Sequence, residues 1–359
     1  MKITIIGAGA IGGLAGAYMT QAGHDVTLTD RWAEHVQAMA AKGLYIDGVR
    51  GEMTVPVTAV HPADLTGPLD MVLIATKSQH AVEALQGVIG LLTPDSCIVS
   101  FQNGFNEPDL VAALDAAGLP GARMVMGSIP NYGGALVDPG YIEYVHEGPI
   151  QLGEMDGTTS PRLEKLAEAL SALTEVQISD RIWGQIWAKE VYASQIVFSA
   201  LADARIHQTL GIERYARISG AVVKEALEIA DACGIDVQAF DFFDPANYRV
   251  KAPADTQKLL DNVNHAIWLL KKDQKDKPHQ FKKKGSGIWW DIVYRKRPSE
   301  TRSSSGKLIA YGNAVGADTR LNAKLFEMIY EIEDGTRALG FHNFDELEAY
   351  VAECGKTLP

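Results

Sequence analysis

The sequence predicts an α/β domain built on a parallel sheet, followed by a domain made of helices. In the first half of the chain, short apolar runs typical of buried strands alternate with segments of helical periodicity. From Arg181 onward the strand patterns fade and helical periodicity dominates. Strands that alternate with helices indicate a doubly wound parallel sheet with helices on both faces. We therefore place the boundary near Asp180, which gives domains of residues 1–180 and 181–359.

Each element follows from its local pattern. Apolar runs predict buried strands at residues 3–6, 25–29, 71–75 and 97–100. Helices are expected between and after them, at residues 10–22, 32–42 and 80–92. Later strands at 124–126, 141–145 and 176–179 should extend the sheet, partly antiparallel, with a helix at 161–173 over one face. The helices predicted for the second domain are 183–204, 212–233, 256–272, 288–297, 322–339 and 344–354.

Composition narrows the classes of function. The formal net charge of -12 repels nucleic acid backbones, so no nucleic acid partner is expected. The three cysteines Cys97, Cys233 and Cys354 are far apart and lack metal-ligand spacing, which fits a reduced protein without a structural metal. No signal peptide is evident, and no segment has about 18 continuous apolar residues. We therefore expect a cytoplasmic protein with no membrane partner.

A glycine motif lies between the first strand and the first helix. The residues Gly7, Ala8, Gly9, Ala10, Ile11 and Gly12 fit the pattern G-x-G-x-x-G. The first glycine permits a tight turn, the second lets the backbone approach a pyrophosphate, and the third allows close packing of helix on sheet. The helix N-terminus favours the negative charge of that group. The motif in this context predicts a dinucleotide-binding Rossmann domain.

The end of the second strand bears on the choice of dinucleotide. Asp30 lies there, about 20 residues after the motif, where a carboxylate can accept hydrogen bonds from ribose hydroxyls. It would repel a 2′-phosphate, which favours NAD. Arg31 follows directly and could instead hold that phosphate, as in NADP.

Four further stretches suggest a family. They are Ala75-Thr76-Lys77-Ser78-Gln79, the loop at residues 101–106, Trp187-Ala188-Lys189, and Asp291 followed by Arg297-Pro298-Ser299-Glu300. In this order and at these separations the chain resembles the ketopantoate reductase (2-dehydropantoate 2-reductase) family over nearly its whole length. The resemblance implies a Rossmann N-terminal domain plus an all-α C-terminal domain like that of 6-phosphogluconate dehydrogenase. It also implies NAD(P)H-dependent reduction of a 2-oxo acid in pantothenate biosynthesis, with NADP as the family's usual cofactor.

The resemblance also assigns roles to residues. Lys189 matches the family's catalytic acid, and an ammonium aimed at a ketone oxygen can stabilise its developing charge and donate the proton. Glu300 matches the carboxylate that holds the substrate's hydroxyl, although it is also an ordinary acid near a helix start. Asn103 matches the asparagine beside the nicotinamide, and is equally typical of a turn before glycine. Lys77 matches a lysine that contacts cofactor or substrate, with a surface loop residue as the alternative.

Two departures from the family pattern leave the substrate open. The asparagines four and eight residues after the family lysine are Ala193 and Val197 here, and the family serine falls at about Gly287, beside Ser286. Another hydroxy acid, a sugar acid or an opine-like compound is therefore an alternative substrate. A nucleotide-sensing protein without turnover is a second alternative. The seven lysines within residues 271–284 indicate a solvated loop, or else a lid that attracts an anionic substrate, and the C-terminal helices could pair in a homodimer.

Overall fold

The computed structural model describes residues 1–241, 243–250, 253–276 and 286–359, with the backbone alone for 253–254 and 269–276. The chain divides into two compact units, Met1–Ile186 and Trp187–Pro359. None of the helices in these ranges is long and apolar enough to cross a membrane.

The first unit contains two sheets. The strands are β1 Ile3–Ile6, β2 Val26–Thr29, β3 Leu44–Gly48, β4 Met53–Val55, β5 Thr58–Val60, β6 Met71–Ile74, β7 Cys97–Ser100, β8 Val125–Pro130, β9 Gly133–Asp138, β10 Tyr141–His146, β11 Ile150–Glu154 and β12 Val176–Ile178. The main sheet has eight strands in the order β12-β11-β8-β7-β6-β1-β2-β5, and the second has four in the order β4-β3-β10-β9. The helices are α1 Ala10–Gln21, α2 Ala33–Lys42, α3 Ala81–Gln86, α4 Glu107–Ala116, α5 Gly121–Met124 and α6 Pro161–Leu170.

The main sheet confirms the predicted Rossmann-like architecture. Strands β5, β2, β1, β6, β7 and β8 are mutually parallel, and β11 joins β8 in the antiparallel direction. The four strands β1, β6, β7 and β8 are completely buried, because helices cover both faces of a parallel sheet. Their carboxyl ends lie at one edge, where ligands of such folds bind.

Helix α1 lies between the two sheets. A Cβ added at Gly13 would be 2.4 Å from Cδ1 of Ile142 in β10, and one added at Gly16 would be 2.3 Å from Cδ2 of Leu28 in β2. The eight residues from Gly12 to Met19 are accordingly all buried. The small residues of α1 therefore let it pack closely on both of its sides.

The structure corrects several sequence predictions in this unit. The strand Tyr141–His146 does not extend the main sheet, because it pairs with β3 and β9 in the second sheet. The helix predicted at 80–92 is shorter: α3 spans only Ala81–Gln86, with single 3₁₀ turns before and after it. Strands β3, β4, β5, β9 and β11 were missing from the prediction.

The second unit is helical apart from the isolated bridge between Phe240 and Phe243, as far as the described residues show. Its helices begin within α7 Ile182–Ser199 and continue with α8 Ile206–Thr209, α9 Glu213–Ala232, α10 Pro253–Asp276, α11 Gly287–Trp289, α12 Lys307–Ala314, α13 Arg320–Glu333 and α14 His342–Glu353. A π-helical turn, Trp290–Tyr294, follows α11. The expected all-α domain is thus confirmed.

Three predictions in this unit need correction. Residues 271–276 continue helix α10 and are not a loop, while residues 277–284 of the predicted lysine-rich segment lie outside the described residues. The helix predicted at 288–297 is only a short turn followed by the π-helical turn. The helix predicted at 322–339 ends at Glu333, because Asp334 is followed by Gly335 with φ of +75°.

Candidate active site

The glycine motif forms a tight turn between β1 and α1. Gly7 has φ of +103°, and a Cβ there would be 2.8 Å from the backbone of Ala75. At Gly12 a Cβ would be 2.2 Å from the carbonyl oxygen of Gly7, so the first turn of α1 lies directly against the strand. At Gly9 a Cβ would meet nothing within 4 Å. Protein atoms therefore pack against the turn at Gly7 and Gly12, whereas the space beside Gly9 is empty. A pyrophosphate needs such space to approach the backbone of the turn.

The start of α1 offers hydrogen-bond donors at this open side. Its first intrahelical bond runs from the N–H of Gly13 to the carbonyl of Gly9 at 2.7 Å. The N–H groups of Ala10, Ile11 and Gly12 therefore have no acceptor inside the helix. Together with the helix dipole, these groups form an anion-binding position. The residues present fit a dinucleotide cofactor.

The loop after β2 carries the residues expected to select the cofactor. The Oδ1 atom of Asp30 accepts a hydrogen bond from the backbone N–H of Trp32 at 2.9 Å, which fixes the carboxylate at the strand end. Arg31 forms an exposed ion pair with Glu83 of α3, with 2.9 Å between Nη1 and Oε1. This pair lowers the pKa of Glu83. The structure thus gives Arg31 a partner other than a 2′-phosphate.

The loops after β6 and β7 are joined by side-chain hydrogen bonds. Nε2 of Gln102 donates to the carbonyl of Thr76 at 2.7 Å, and the hydroxyl of Ser78 donates to Oδ1 of Asn106 at 2.6 Å. Asn106 also donates to the carbonyl of Asn103 at 2.8 Å. Gln102, Ser78 and Asn106 are largely buried, and the sequence analysis included them in the family stretches without giving any of them a role.

The two predicted site residues of these loops are exposed. Lys77 precedes the 3₁₀ turn Ser78–His80, and Asn103 precedes Gly104, which has φ of +98°. Both lie beyond the carboxyl ends of their strands, on the same edge of the sheet as Gly9 and Asp30. The first unit therefore brings all the predicted cofactor-binding residues to one edge.

In the second unit, Lys189 lies on α7, where the charges of three acidic residues act on it. Burial lowers the pKa of Lys189 to about 8, and the nearby charges of Glu190, Glu300 and Asp241 act in the opposite direction. Burial has the larger effect because removing an ammonium from water disfavours its charged form. A lysine with this pKa is a far better proton donor near neutral pH than an exposed lysine.

Glu300 is the predicted partner that the structure brings near Lys189. Its neighbours in sequence fix its backbone. Ser299 donates its N–H and its hydroxyl to Oε1 of the buried Glu333, at 2.8 and 2.5 Å, and its hydroxyl also lies 2.7 Å from that of Thr301. The carbonyl of Glu300 accepts the N–H groups of residues 303 and 304. The carboxylate is therefore presented from a rigid turn.

Asp241 is a neighbour of Lys189 that the sequence analysis missed. It lies at the tip of a turn closed by two hydrogen bonds between Phe240 and Phe243, at 2.9 and 2.8 Å. Its φ of +53° is unusual for a residue other than glycine, and such strain concentrates at functional sites. Phe243 also contacts Tyr192, one turn along α7 from Lys189, with ring centroids 5.9 Å apart. No local sequence signal pairs a turn aspartate with a lysine some 50 residues earlier.

Two positions on α7 that are polar in the family are apolar in this chain. Ala193 is partly exposed, whereas Val197 is completely buried. Ser286, next to the expected serine position at Gly287, accepts the N–H of Trp289 at 3.1 Å and so caps α11. Ala193 and Val197 thus lack the side-chain amide that the family's asparagines offer to a substrate.

No group of three or more metal-ligating side chains that could hold a metal ion occurs within the described ranges.

The fold and the site together define a class of enzyme. A dinucleotide-binding turn on a Rossmann-like sheet, followed by a helical unit with a lysine of lowered pKa, defines an NAD(P)-dependent oxidoreductase. Residues 3–157 match the family described as Ketopantoate reductase PanE/ApbA, and residues 181–333 match its C-terminal domain. The chain belongs to the ketopantoate reductase PanE/ApbA family.

Known relatives extend over most of the chain. A 2-dehydropantoate 2-reductase of Pyrococcus abyssi is 28% identical over 334 residues, which cover 92% of this chain and 97% of the relative. A PanE/ApbA family ketopantoate reductase from Ralstonia eutropha has a solved structure that is 25% identical. It has a TM-score of 0.70 and covers 94% of this chain and 100% of its own.

Two more distant structures share the fold. A D-mandelate dehydrogenase, solved with NADH and anilino(oxo)acetate, has a TM-score of 0.75 at 20% identity and covers 94% of this chain and all of its own. A dimeric ketopantoate reductase from Staphylococcus aureus has a TM-score of 0.68 at 14% identity with the same coverage.

Proposed function

We propose that this protein reduces a 2-oxo acid to a 2-hydroxy acid, with Lys189 as the proton donor. The observation that carries the proposal is the position of Lys189 on α7, partly shielded from solvent and near Glu300. Its removal from water lowers the pKa of the lysine to about 8, although the charge of Glu300 acts in the opposite direction. Retention of both residues favours an enzyme over a non-catalytic nucleotide sensor, because a sensor needs neither. Reduced nicotinamide supplies the hydride when the cofactor is bound.

The residues of the chain then have distinct tasks. The ammonium of Lys189 stabilises the negative charge that develops on the ketone oxygen and gives that oxygen its proton. Glu300 accepts a hydrogen bond from a hydroxyl of the substrate. Asn103 helps to position the reacting groups, and Lys77 contacts the cofactor.

We propose NAD as the preferred cofactor. The carboxylate of Asp30 is fixed at the end of β2, where it can accept hydrogen bonds from a ribose. Arg31, which could hold a 2′-phosphate, is paired with Glu83 instead. NADP, the usual cofactor of the family, is the alternative, and the exposed pair with Glu83 would have to open for it.

The substrate is either ketopantoate or a 2-oxo acid with a less polar substituent. Ketopantoate would place the enzyme in pantothenate biosynthesis, as the family resemblance implies. The replacement of two family asparagines by Ala193 and Val197 favours the second class, to which the 2-oxo acid of mandelate belongs. By analogy with the dimeric relative, we propose a homodimer, which light scattering would test.

The test is oxidation of NADH and NADPH with ketopantoate and a panel of 2-oxo acids. We expect turnover with at least one acid, and Lys189→Ala should lower kcat by about 10²- to 10⁴-fold. The dissociation constant for NADH should stay within about twofold, because removal of a donor to the ketone oxygen leaves the glycine turn intact. Equal losses of turnover and NADH affinity would contradict the role of Lys189, and binding without any turnover would favour the sensor.

A further inference from the structure

A buried histidine connects the glycine turn to a distant hairpin. His35 lies on α2 and its side chain has no exposure to solvent. Its Nε2 atom lies 2.9 Å from the carbonyl oxygen of Ala8, within the glycine turn. Its Nδ1 atom lies 2.9 Å from the backbone nitrogen of Gly140, in the turn between β9 and β10.

These two contacts define the state of the imidazole ring. The N–H of Gly140 can only donate, so Nδ1 of His35 must be the acceptor and carry no proton. The proton of the neutral ring is then on Nε2, which donates it to the carbonyl of Ala8. A second proton on the ring would place two N–H groups opposite each other at Gly140.

The contact with Ala8 sets the orientation of the peptide that follows. In a trans peptide the carbonyl and the next N–H point to opposite sides. The carbonyl of Ala8 points at His35, so the N–H of Gly9 points away from the buried ring. The N–H of Ala8 is separately held by the carbonyl of Thr29 at 2.9 Å. That bond holds the preceding Gly7–Ala8 peptide, so the Ala8–Gly9 peptide starts from a fixed neighbour and its own orientation is set by the contact with His35.

The far side of His35 is itself rigidly held. Gly140 has φ of +75°, its carbonyl accepts the N–H of Tyr45 at 2.9 Å, and a Cβ on it would be 2.9 Å from Cβ of Ala38 on α2. On its face, the His35 ring stacks with Trp32, with centroids 5.8 Å apart and planes inclined by 25°. The ring has no freedom to turn without breaking these contacts.

We propose that His35 is a positioning residue for the dinucleotide, holding the Ala8–Gly9 peptide so that the N–H of Gly9 is available to the pyrophosphate. This inference rests on the proposed cofactor site at the glycine turn. It adds a link from the second sheet, through α2, to that site. Without the histidine, the peptide can rotate and present its carbonyl oxygen, which repels a phosphate.

The first test compares a substitution that removes both hydrogen bonds of His35 with one that removes a single buried hydrogen bond elsewhere. His35→Phe keeps a ring against Trp32 but removes both polar contacts. The matched control is Ser96→Ala, because Ser96 is buried and donates to the carbonyl of Leu69 at 2.6 Å, at the opposite edge of the sheet. NADH affinity is measured by the fluorescence of the bound cofactor, and the melting temperature by thermal unfolding.

We expect His35→Phe to raise the dissociation constant for NADH about tenfold, which corresponds to about 1.4 kcal/mol. Ser96→Ala should lower the melting temperature while leaving that constant within twofold. An unchanged NADH affinity in His35→Phe, or an equal loss in Ser96→Ala, would overturn the proposal. If the wild-type chain binds neither NADH nor NADPH, the proposed cofactor site itself fails, and the role of His35 with it.

A second measurement does not depend on the variant folding. Nitrogen NMR of the wild-type chain labelled at histidine reports which ring nitrogen carries the proton. We expect His35 to be neutral with its proton on Nε2, with and without NADH. A proton on Nδ1 would break the link to Gly140 and overturn the proposal.

Discussion

The pH dependence of reduction should report the environment of Lys189. In the proposed reaction Lys189 gives up a proton, so substrate reduction would need the ammonium form. Burial lowers the pKa of Lys189 from 10.5 to about 8, so the active form is lost as the pH rises through 8. We expect kcat/KM to be level below about pH 7 and to fall about tenfold per pH unit well above 8.

A substitution at Asp241 should move this transition in a known direction. The negative charge of Asp241 favours the ammonium form of Lys189, so Asp241→Asn should shift the alkaline limb to lower pH. A shift of roughly one unit or less is expected, because Asp241 is exposed and its charge is screened. Asparagine suits the position because it tolerates the φ of +53° found there.

The assay is the initial rate of NADH oxidation at limiting 2-oxo acid between pH 5.5 and pH 10, in wild type and two variants. The matched control is Asp244→Asn, three residues further along the same segment, where Oδ1 accepts the N–H of Ala246. Asp244 is not among the charges that act on Lys189, so this variant should keep the wild-type limb. A wild-type profile that stays level to pH 9.5, or an alkaline shift in Asp241→Asn, would refute this account of the proton donor.

Two further predictions concern specificity. Glu83→Gln removes the carboxylate that pairs with Arg31. It should raise kcat/KM for NADPH relative to NADH by a few-fold, because an exposed ion pair contributes little energy. An unchanged ratio in steady-state kinetics would show that Arg31 does not bind a 2′-phosphate. Ala193→Asn restores a polar side chain one turn from Lys189, and should increase kcat/KM for ketopantoate relative to apolar 2-oxo acids about tenfold, through one added hydrogen bond. A parallel loss for every acid in the panel would instead indicate steric damage to α7.

Patterns that are local in sequence predicted most of the Rossmann-like sheet. The strand at residues 3–6, the glycine turn after it and Asp30 follow one another within 30 residues, and each has its own chemical signature. The strand Tyr141–His146 was recognised but assigned to the wrong sheet. Alternation along a strand shows which face is buried, but it does not name the neighbouring strand, here the unpredicted β3.

The site residues also divide into those that the sequence revealed and those that only the fold revealed. Lys189 and Glu300 were found because they match family positions, and in the structure the charge of Glu300 acts on Lys189. Asp241 and His35 were missed because their partners lie far away in sequence, at Lys189, Ala8 and Gly140. A single aspartate or histidine has no periodicity, so only the fold reveals what it contacts.

The packing of α1 has a consequence for how tightly a nucleotide can bind. The helix is enclosed over eight consecutive residues, and the turn before it is pinned by the strands on each side. This binding site is already ordered before a ligand binds, so the free-energy cost of ordering the protein on binding is small. The cofactor should therefore bind at the glycine turn in a single fast phase, with no slow rearrangement of the phosphate-binding backbone.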